Sequence, residues 1–189
     1  AYSIGLSQVI AALIEPFGYH LDAFDIRAAN VLMQIRLPRI ILSVLVGGGL
    51  GIAGAALQGL FRNPLVEPGL IGVSSGSALF AVVFLVVFPG IAIDFPILEQ
   101  VGLPMFSFLG GLVNVFAVYY LGASKGGENT ATIILAGVAI NALAGALIGL
   151  TLFYADDTAL RSFTFWSLGD LSGASWDKLP IAALLICIP

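Results

Sequence analysis

A serine in a glycine-rich pentapeptide is the residue of this chain whose type and spacing most directly suggest covalent chemistry. Ser74 is the centre of Gly72-Val-Ser-Ser-Gly76, which matches the G-x-S-x-G turn that exposes a nucleophilic serine in many hydrolases. Such a serine needs a base, and the single histidine, His20, is the only candidate. A serine hydrolase acting through Ser74 is therefore one hypothesis. The competing interpretation is a helix start, where serine caps and glycine packs.

A second glycine-rich motif suggests nucleotide chemistry, but its surroundings do not support it. Gly49-Leu-Gly-Ile-Ala-Gly54 matches G-x-G-x-x-G, which binds dinucleotides only between a strand and a helix, with an acid about 20 residues further on. The next acid is Glu67, which lies too near, in a proline-flanked turn. One cysteine, Cys187, and one histidine leave no usual metal-ligand set. We expect no cofactor and no metal.

The elements that must position these residues are long and without charge. Four stretches, Ile40–Phe61, Pro68–Ile93, Gln100–Ser124 and Asn129–Ala155, contain no Asp, Glu, Lys or Arg. Each exceeds the roughly 20 apolar residues that cross a bilayer as a helix. Charged residues make up 10% of the chain, and the mean hydropathy is +1.07. The sequence predicts an all-α, polytopic membrane helical bundle, in which the Ser74 hypothesis becomes an intramembrane serine hydrolase.

Glycine and proline subdivide this bundle. We predict spans over residues 40–61, 70–88, 105–121 and 130–154, a loop over 91–104, and an amphipathic helix over 21–35 that leads to Pro38 in the first turn of the first span. Asn63 and Pro64 mark a structural turn between the first two spans. Small residues four apart predict faces for close helix packing. These residues are Gly47, Gly51, Ala55 and Gly59 in the first span and Gly72 and Gly76 in the second.

Three segments together are similar to a known family. Arg36-Leu-Pro-Arg39 leads into a glycine-rich helix that ends in Gln58-Gly-Leu-Phe-Arg-Asn-Pro-Leu65. Glu67-Pro-Gly-Leu-Ile-Gly-Val-Ser-Ser-Gly76 follows, and Leu135-Ala-Gly-Val-Ala-Ile-Asn-Ala-Leu-Ala-Gly-Ala146 comes later. Together they resemble the FecCD family of ABC-importer permeases, which carry iron–siderophores, haem and vitamin B12. The resemblance covers most of residues 30–180.

The resemblance implies a type II ABC-importer permease of ten helices that works as a homodimer in the bacterial cytoplasmic (inner) membrane. It implies two ATP-binding cassette ATPase subunits on the cytoplasmic side and a periplasmic or lipid-anchored substrate-binding protein outside. The chain itself would be no enzyme, and its other partner would be membrane lipid, not nucleic acid. Residues 1–189 would be one transmembrane permease domain that lacks the first helix and everything after the middle of the sixth.

The resemblance also assigns roles to residues. Arg36 and Arg39 match arginines that face acidic residues of the binding protein, although arginines at a span end also reach the interface without a partner. Asn141, with Gly145 and Gly149, would line the translocation path, and the alternative for Asn141 is a hydrogen bond between helices. For Arg161 the sequence favours a local ion pair with a neighbouring aspartate.

Substrate and orientation stay open at this point. Residues 143–157 and 160–169 most resemble haem permeases, but a siderophore or cobalamin substrate remains an alternative. The family orientation places five of the seven Lys and Arg residues outside and two, Arg62 and Lys125, inside. The positive-inside rule favours the opposite orientation. We adopt the family orientation.

Overall fold

A computed structural model describes residues 3–18, 21, 24–88, 96–124, 127–128 and 130–187 of the chain. His20 and Lys125 lie outside the described residues. The helices are α1 (Leu6–Ile14), α2 (Ile26–Val31), α3 (Leu37–Phe61), α4 (Val73–Val87), α5 (Pro96–Gly122), α6 (Thr130–Phe153), α7 (Asp157–Leu168) and α8 (Leu179–Cys187). A two-residue strand pair, β1 (Ala123–Ser124) and β2 (Gly127–Glu128), joins α5 to α6. The predicted all-α class is confirmed.

Three of the described helical segments are long and apolar enough to cross a membrane. They are Ile26–Phe61 with 36 residues, Val101–Gly122 with 22 and Thr130–Phe153 with 24. The fourth apolar helix, α4, has 15 residues and is only about 22 Å long, which is less than the ~30 Å hydrocarbon core. The predicted span over 70–88 is wrong for residues 70–72, which form an irregular turn. The helix begins only at Val73.

The first span begins earlier than predicted and passes through its proline. Pro38 is buried inside a continuous helical segment and does not start one. A proline has no N–H and collides with the carbonyl four residues before it. The helix accommodates this by widening into a π-turn, Leu32–Arg36, where the N–H of Leu37 donates to the carbonyl of Leu32, five residues back. The wider turn lets the helix continue past the proline.

The predicted loop over 91–104 is wrong for its second half. The helix α5 begins at Pro96 and continues through Pro104. Pro96 suits a first turn because the N–H that it lacks has no helical partner there. An internal proline such as Pro104 is tolerated in membrane helices where neighbouring groups satisfy the freed carbonyl.

The chain divides into two compact units. The first consists of Ala1–Ile52 and Asp170–Pro189, and the second of Ala53–Gly169. In the first unit α1 packs on α2, and Gly49 of α3 faces the side chain of Ile186 in α8. In the second unit α4 packs against α5 and α6, and α7 lies beside α4. Each unit therefore combines segments that are distant in the sequence or separated by turns.

Glycines set the contact between α4 and α5 in the second unit. A Cβ built on Gly76 would overlap the carbonyl oxygen of Gly110, and one built on Gly110 would overlap that of Gly76. Further along, the rings of Phe84 and Phe106 pack with their centroids 4.9 Å apart. Lipid gives helices no hydrophobic reason to associate, so such close contact and dispersion must hold them together.

We expect Gly76→Ala to destabilise the protein strongly because the added methyl group meets backbone that cannot move alone. The expected loss is about 3 kcal/mol, the upper end for overpacking. Gly47→Ala is the matched control, since a Cβ there has nothing within 4 Å and alanine favours a helix. Unfolding in detergent, by heat or by SDS, measures both. Equal stability of the two variants would contradict the packing.

Candidate functional site

The candidate site is a break in the apolar second unit, between Glu67 and Val73. Pro68–Ile71 forms a single 3₁₀ turn, and Gly72 then adopts the left-handed conformation with φ 85° before α4 begins. A side chain at that φ would be strained, so the position requires glycine. A break of this kind leaves backbone groups without helical partners.

The break lies deep in the apolar layer. It is contacted by Asn114, about 12 Å along α5 from its end at Gly122, and by Asn141, about 16 Å along α6 from its start at Thr130. The strand pair joins those two helix ends, so both distances run from the same membrane face. The break is thus about halfway across a ~30 Å core.

Three polar side chains tie the break to its neighbours. Asn141 Nδ2 donates to the carbonyl of Gly69 at 3.0 Å, and its Oδ1 accepts from the hydroxyl of Ser75 at 2.5 Å. Asn114 Nδ2 donates to the carbonyl of Gly72 at 3.0 Å and to Ser75 Oγ at 3.2 Å. We call Ser75, Asn114 and Asn141 the asparagine network. It links α4, α5, α6 and the 3₁₀ turn.

The network adds side-chain partners to an irregular backbone whose Gly69 and Gly72 carbonyls also accept from the N–H groups of Gly72 and Gly76. Asn114 is 8% exposed, and no buried side-chain nitrogen or oxygen lacks a hydrogen-bond partner within the described part of the chain. A buried polar group left unpaired costs about 1–3 kcal/mol. Non-helical backbone at membrane depth persists only where such groups are satisfied within the protein.

Glycine lets α6 approach the break closely enough for Asn141 to reach it. A Cβ built on Gly137 would overlap the carbonyl oxygen of Leu70 in the 3₁₀ turn. Gly137 lies four residues before Asn141, on the same side of α6. Gly137, which has no side chain, allows the contact, and the Asn141 amide makes the hydrogen bond.

The structure answers one part of the prediction for Asn141. Its amide forms the interhelical hydrogen bonds that the sequence offered as an alternative, while a role along a translocation path stays a prediction. Gly145 and Gly149 are exposed, and nothing lies within 4 Å of a Cβ built on either. Sequence reasoning missed Asn114 and Ser75. An asparagine within the charge-free stretch that became α5 was the available signal for Asn114.

The predicted packing residues fall into two groups. Gly72 and Gly76 lie against α5, with Asn114 as a shared neighbour. Nothing within 4 Å would meet a Cβ on three glycines of the first span, which are Gly47, Gly51 and Gly59. Ala55, which shares their predicted face, is exposed. Packing through that face stays a prediction.

The predicted turn at Asn63 and Pro64 is built by the asparagine side chain. Asn63 Oδ1 accepts from the N–H of Leu65 at 3.0 Å, and its carbonyl accepts from the N–H of Val66. This is an Asx turn, which replaces a backbone hydrogen bond with one from a side chain. Arg62 precedes it with φ 50°, the left-handed conformation, where the chain leaves α3.

In the first unit, Arg39 holds a loop. Its Nε donates to the carbonyl of Leu171 at 3.2 Å and its Nη2 to that of Ser172 at 3.3 Å. The guanidinium is still exposed, so a carboxylate of a partner could approach it. Arg36 closes the π-turn and is half-buried. Docking by Arg36 and Arg39 stays a prediction, and Arg39 has in addition a structural role.

Trp176 satisfies a carbonyl that Pro38 leaves without a donor. In a π-turn a carbonyl accepts from the N–H five residues further on. For the carbonyl of Met33 that residue is Pro38, which has no N–H. Trp176 Nε1 donates to this carbonyl instead, at 2.9 Å. The tryptophan thereby ties its loop to the π-turn in the first span.

Two aspartates, one in each unit, accept local hydrogen bonds. The Ser172 hydroxyl and then its N–H donate to the Asp170 carboxylate and hold the pKa of Asp170 below its ordinary value of 3.8, with Arg39 adding to the effect. In the second unit, Asp156 caps α7 by accepting from the N–H of Ala159 at 2.8 Å. The ion pair expected for Arg161 is absent among the described residues.

Ser74 lies outside the asparagine network although it neighbours Ser75. It is exposed in the first turn of α4, and its hydroxyl has no hydrogen-bond partner within the described residues. Its proposed base, His20, is outside them. Within the described residues, Gly72 and Ser75 of the G-x-S-x-G stretch therefore build the break, and the central serine takes no part.

Comparison with known proteins gives a consistent family. The profile of the FecCD transport family matches residues 1–189. The hemin transport system permease protein HmuU of Yersinia pestis is 42% identical over 157 residues, which are 83% of this chain and 46% of that protein. The cobalamin import system permease protein BtuC of Halobacterium salinarum is 38% identical over 161 residues, 85% of this chain and 41% of that protein.

Two further comparisons extend the match. The iron(3+)-hydroxamate import system permease protein FhuG of Bacillus subtilis is 37% identical over 177 residues, 94% of this chain and 52% of that protein. A solved structure, described as an inward-facing conformation of a metal-chelate type ABC transporter, superposes with a TM-score of 0.68 at 32% identity, covering 93% of this chain and 53% of that one. The chain thus spans about half the length of its relatives.

We expect Asn114→Leu and Asn141→Leu each to destabilise the protein by about 1–3 kcal/mol, because each leaves a carbonyl or hydroxyl of the break without one of its partners. Thr151→Val is the matched control in α6, since the Thr151 hydroxyl bonds only to Leu147 of its own helix and costs little to remove. Thermal unfolding in detergent measures all three. A control as damaging as the asparagine variants would contradict the network.

Proposed function

The chain belongs to the FecCD transport family, and on that premise we propose that it forms a membrane-embedded permease segment of an ATP-driven importer for metal chelates. The observation that carries the proposal is the family match along residues 1–189, joined to apolar helices long enough to cross a membrane. Because the chain spans about half the length of its relatives, transport is proposed for the assembled protein.

The break at Gly72 supports a transport role over that of a passive anchor. Transporters commonly place broken helices near the bilayer midplane, where irregular backbone borders the substrate path. Here the break lies at that depth and is held by the asparagine network. A purely structural membrane subunit gains nothing from a polar break that must be satisfied side chain by side chain.

For the cargo we propose a metal chelate, with haem as the first candidate. The named relatives handle hemin, cobalamin and iron(3+)-hydroxamate, which share the chemistry of a large organic ligand around a metal ion. The haem assignment is supported by 42% identity to the hemin permease, but the cobalamin and hydroxamate permeases follow at 38% and 37%. Siderophore and cobalamin therefore stay as alternatives.

The proposed assembly follows the family. A second permease copy would complete the path, ATP-binding cassette subunits would bind on the cytoplasmic side, and a periplasmic or lipid-anchored binding protein would deliver the chelate. The membrane would be the bacterial inner membrane. Alternating access in such importers is driven by nucleotide on the partner subunits, so this chain supplies the path and no covalent step.

The assembled transporter tests this proposal directly. Reconstituted in vesicles with its ATPase and binding-protein partners, the full-length protein should accumulate haem only when ATP is supplied, and Ser74→Ala should transport as the wild type does. Uptake of ferric hydroxamate or cobalamin in place of haem would correct the cargo alone. Loss of uptake in Ser74→Ala, or hydrolysis that depends on Ser74, would contradict the permease role and favour the intramembrane hydrolase.

The double variant Arg36→Glu with Arg39→Glu should weaken association with the binding protein and reduce uptake. Charge at a docking surface mainly sets the association rate, so we expect that rate to fall about tenfold or more and to lose its salt dependence. Arg161→Glu is the control, an exposed arginine to which no docking role is assigned. Arg39→Lys keeps the positive charge but loses the planar fork of donors that bonds to the Leu171 and Ser172 carbonyls, so it separates the loop contact from docking.

If Arg39→Lys alone reproduces the whole defect, the loop contact and not the charge is responsible for it. Undiminished uptake and unchanged association in the double variant would contradict docking by these arginines. Surface-plasmon measurements of association at two salt concentrations, beside uptake in vesicles, give both readouts.

A further inference from the structure

A half-open cleft in the second unit has no assigned function. It encloses about 540 Å³ and lies among the end of α3, the last turns of α5 and the first turns of α6. This volume is in the range of small-molecule sites. All its lining residues belong to the unit Ala53–Gly169, so the cleft is formed within one compact body.

The polarity of the cleft changes with depth. Its polar members are Arg62, Tyr119 and Thr130, which lie at or near the helix ends. The apolar members Leu57 and Val115 lie further along their helices, about 6 Å and 10 Å from those ends. A ligand that fits this gradient has a polar head at the membrane surface and a hydrocarbon part directed into the bilayer.

The charged residue that lines the cleft is a cation, Arg62. The guanidinium of Arg62 is exposed and has no hydrogen-bond or ion-pair partner within the part of the chain that the structure describes. α6 begins at Thr130, so the positive end of its helix dipole adds to the same mouth. Arginine binds phosphate oxygens in pairs through its planar fork of donors. The mouth therefore favours a phosphate-bearing head group.

We propose that this cleft binds one anionic phospholipid, with its phosphate on Arg62 and an acyl chain along Leu57, Val115 and Ile133. The lipid fills a gap between three helix ends and holds the α3 end against α5 and α6. A soluble anion would use only the mouth and leave the apolar walls uncovered. The inference depends on the helices lying in a bilayer and not on which chelate is transported.

Arg62 offers a variant that removes the charge without straining the fold. Its φ of 50° is a conformation that glycine adopts freely, so Arg62→Gly deletes the cation and relieves the backbone together. Arg62→Lys keeps a positive charge but not the paired donors. Arg161→Gln, an exposed arginine on α7 outside the cleft, is the matched control.

The test is native mass spectrometry of the full-length protein in detergent, titrated with phosphatidylglycerol or phosphatidylcholine. We expect one phosphatidylglycerol to bind more tightly than phosphatidylcholine, and Arg62→Gly to weaken that binding about fivefold, the effect of one basic residue on an anionic lipid. Arg161→Gln should bind as the wild type does. The unfolding temperature of Arg62→Gly without lipid should be no lower than that of the wild type.

A second variant tests the apolar part of the cleft. Val115→Phe should occupy the acyl-chain position and weaken phosphatidylglycerol binding while Arg62 is intact. Equal binding of the two lipids by the wild type, or unchanged binding by both Arg62→Gly and Val115→Phe, would overturn the proposal. So would competition by inorganic phosphate that displaces the lipid completely, because a free-anion site would then account for the affinity.

Discussion

A carbonyl group inside a bilayer has no water to bond with, and this constraint organises the second unit. The chain enters α4 through a 3₁₀ turn and a left-handed glycine at about the middle of the apolar layer. The carbonyls of Gly69 and Gly72 meet there the amides of Asn141 and Asn114, and Ser75 connects the two amides. The Gly69 carbonyl also accepts from the N–H of Gly72, and the Gly72 carbonyl from the N–H of Gly76, so each amide is a second partner. Removal of such a partner from a buried group costs about 1–3 kcal/mol. The asparagine network therefore stabilises the irregular backbone of the break.

The same constraint explains why glycines surround the network. An asparagine side chain is short, so its hydrogen bonds form only where backbones approach closely. Gly137 brings α6 onto the 3₁₀ turn, and Gly76 and Gly110 bring α4 onto α5. In the first unit, Pro38 creates a similar need, which Trp176 meets from a distant part of the chain by donating to Met33. At the 3₁₀ turn and at Pro38, a donor from another segment thus bonds to a carbonyl of the interrupted helix.

The sequence predicted what depends on composition and local pattern, namely the helical class, the charge-free segments and the polar character of Asn141. It did not predict the break. The residues from Leu70 to Phe88 carry no charge and are mostly apolar, and such a composition does not distinguish a long helix from a turn followed by a short one. The left-handed state of Gly72 depends on contacts with α5 and α6, which no local pattern contains. Pro38 was misplaced for the same reason, since its helix continues with the help of a tryptophan far along the chain.

The central claim is that the break at Gly72 lies near the middle of the bilayer. Electron cryomicroscopy of the full-length protein in lipid nanodiscs shows both head-group layers, so the position of the Gly72 Cα between them can be read directly. The account predicts that Gly72 lies about midway, level with Asn114 and Asn141. A Gly72 at the height of either head-group layer would contradict this claim. Water would reach the backbone there, and the carbonyls of the turn could bond to water in place of asparagine.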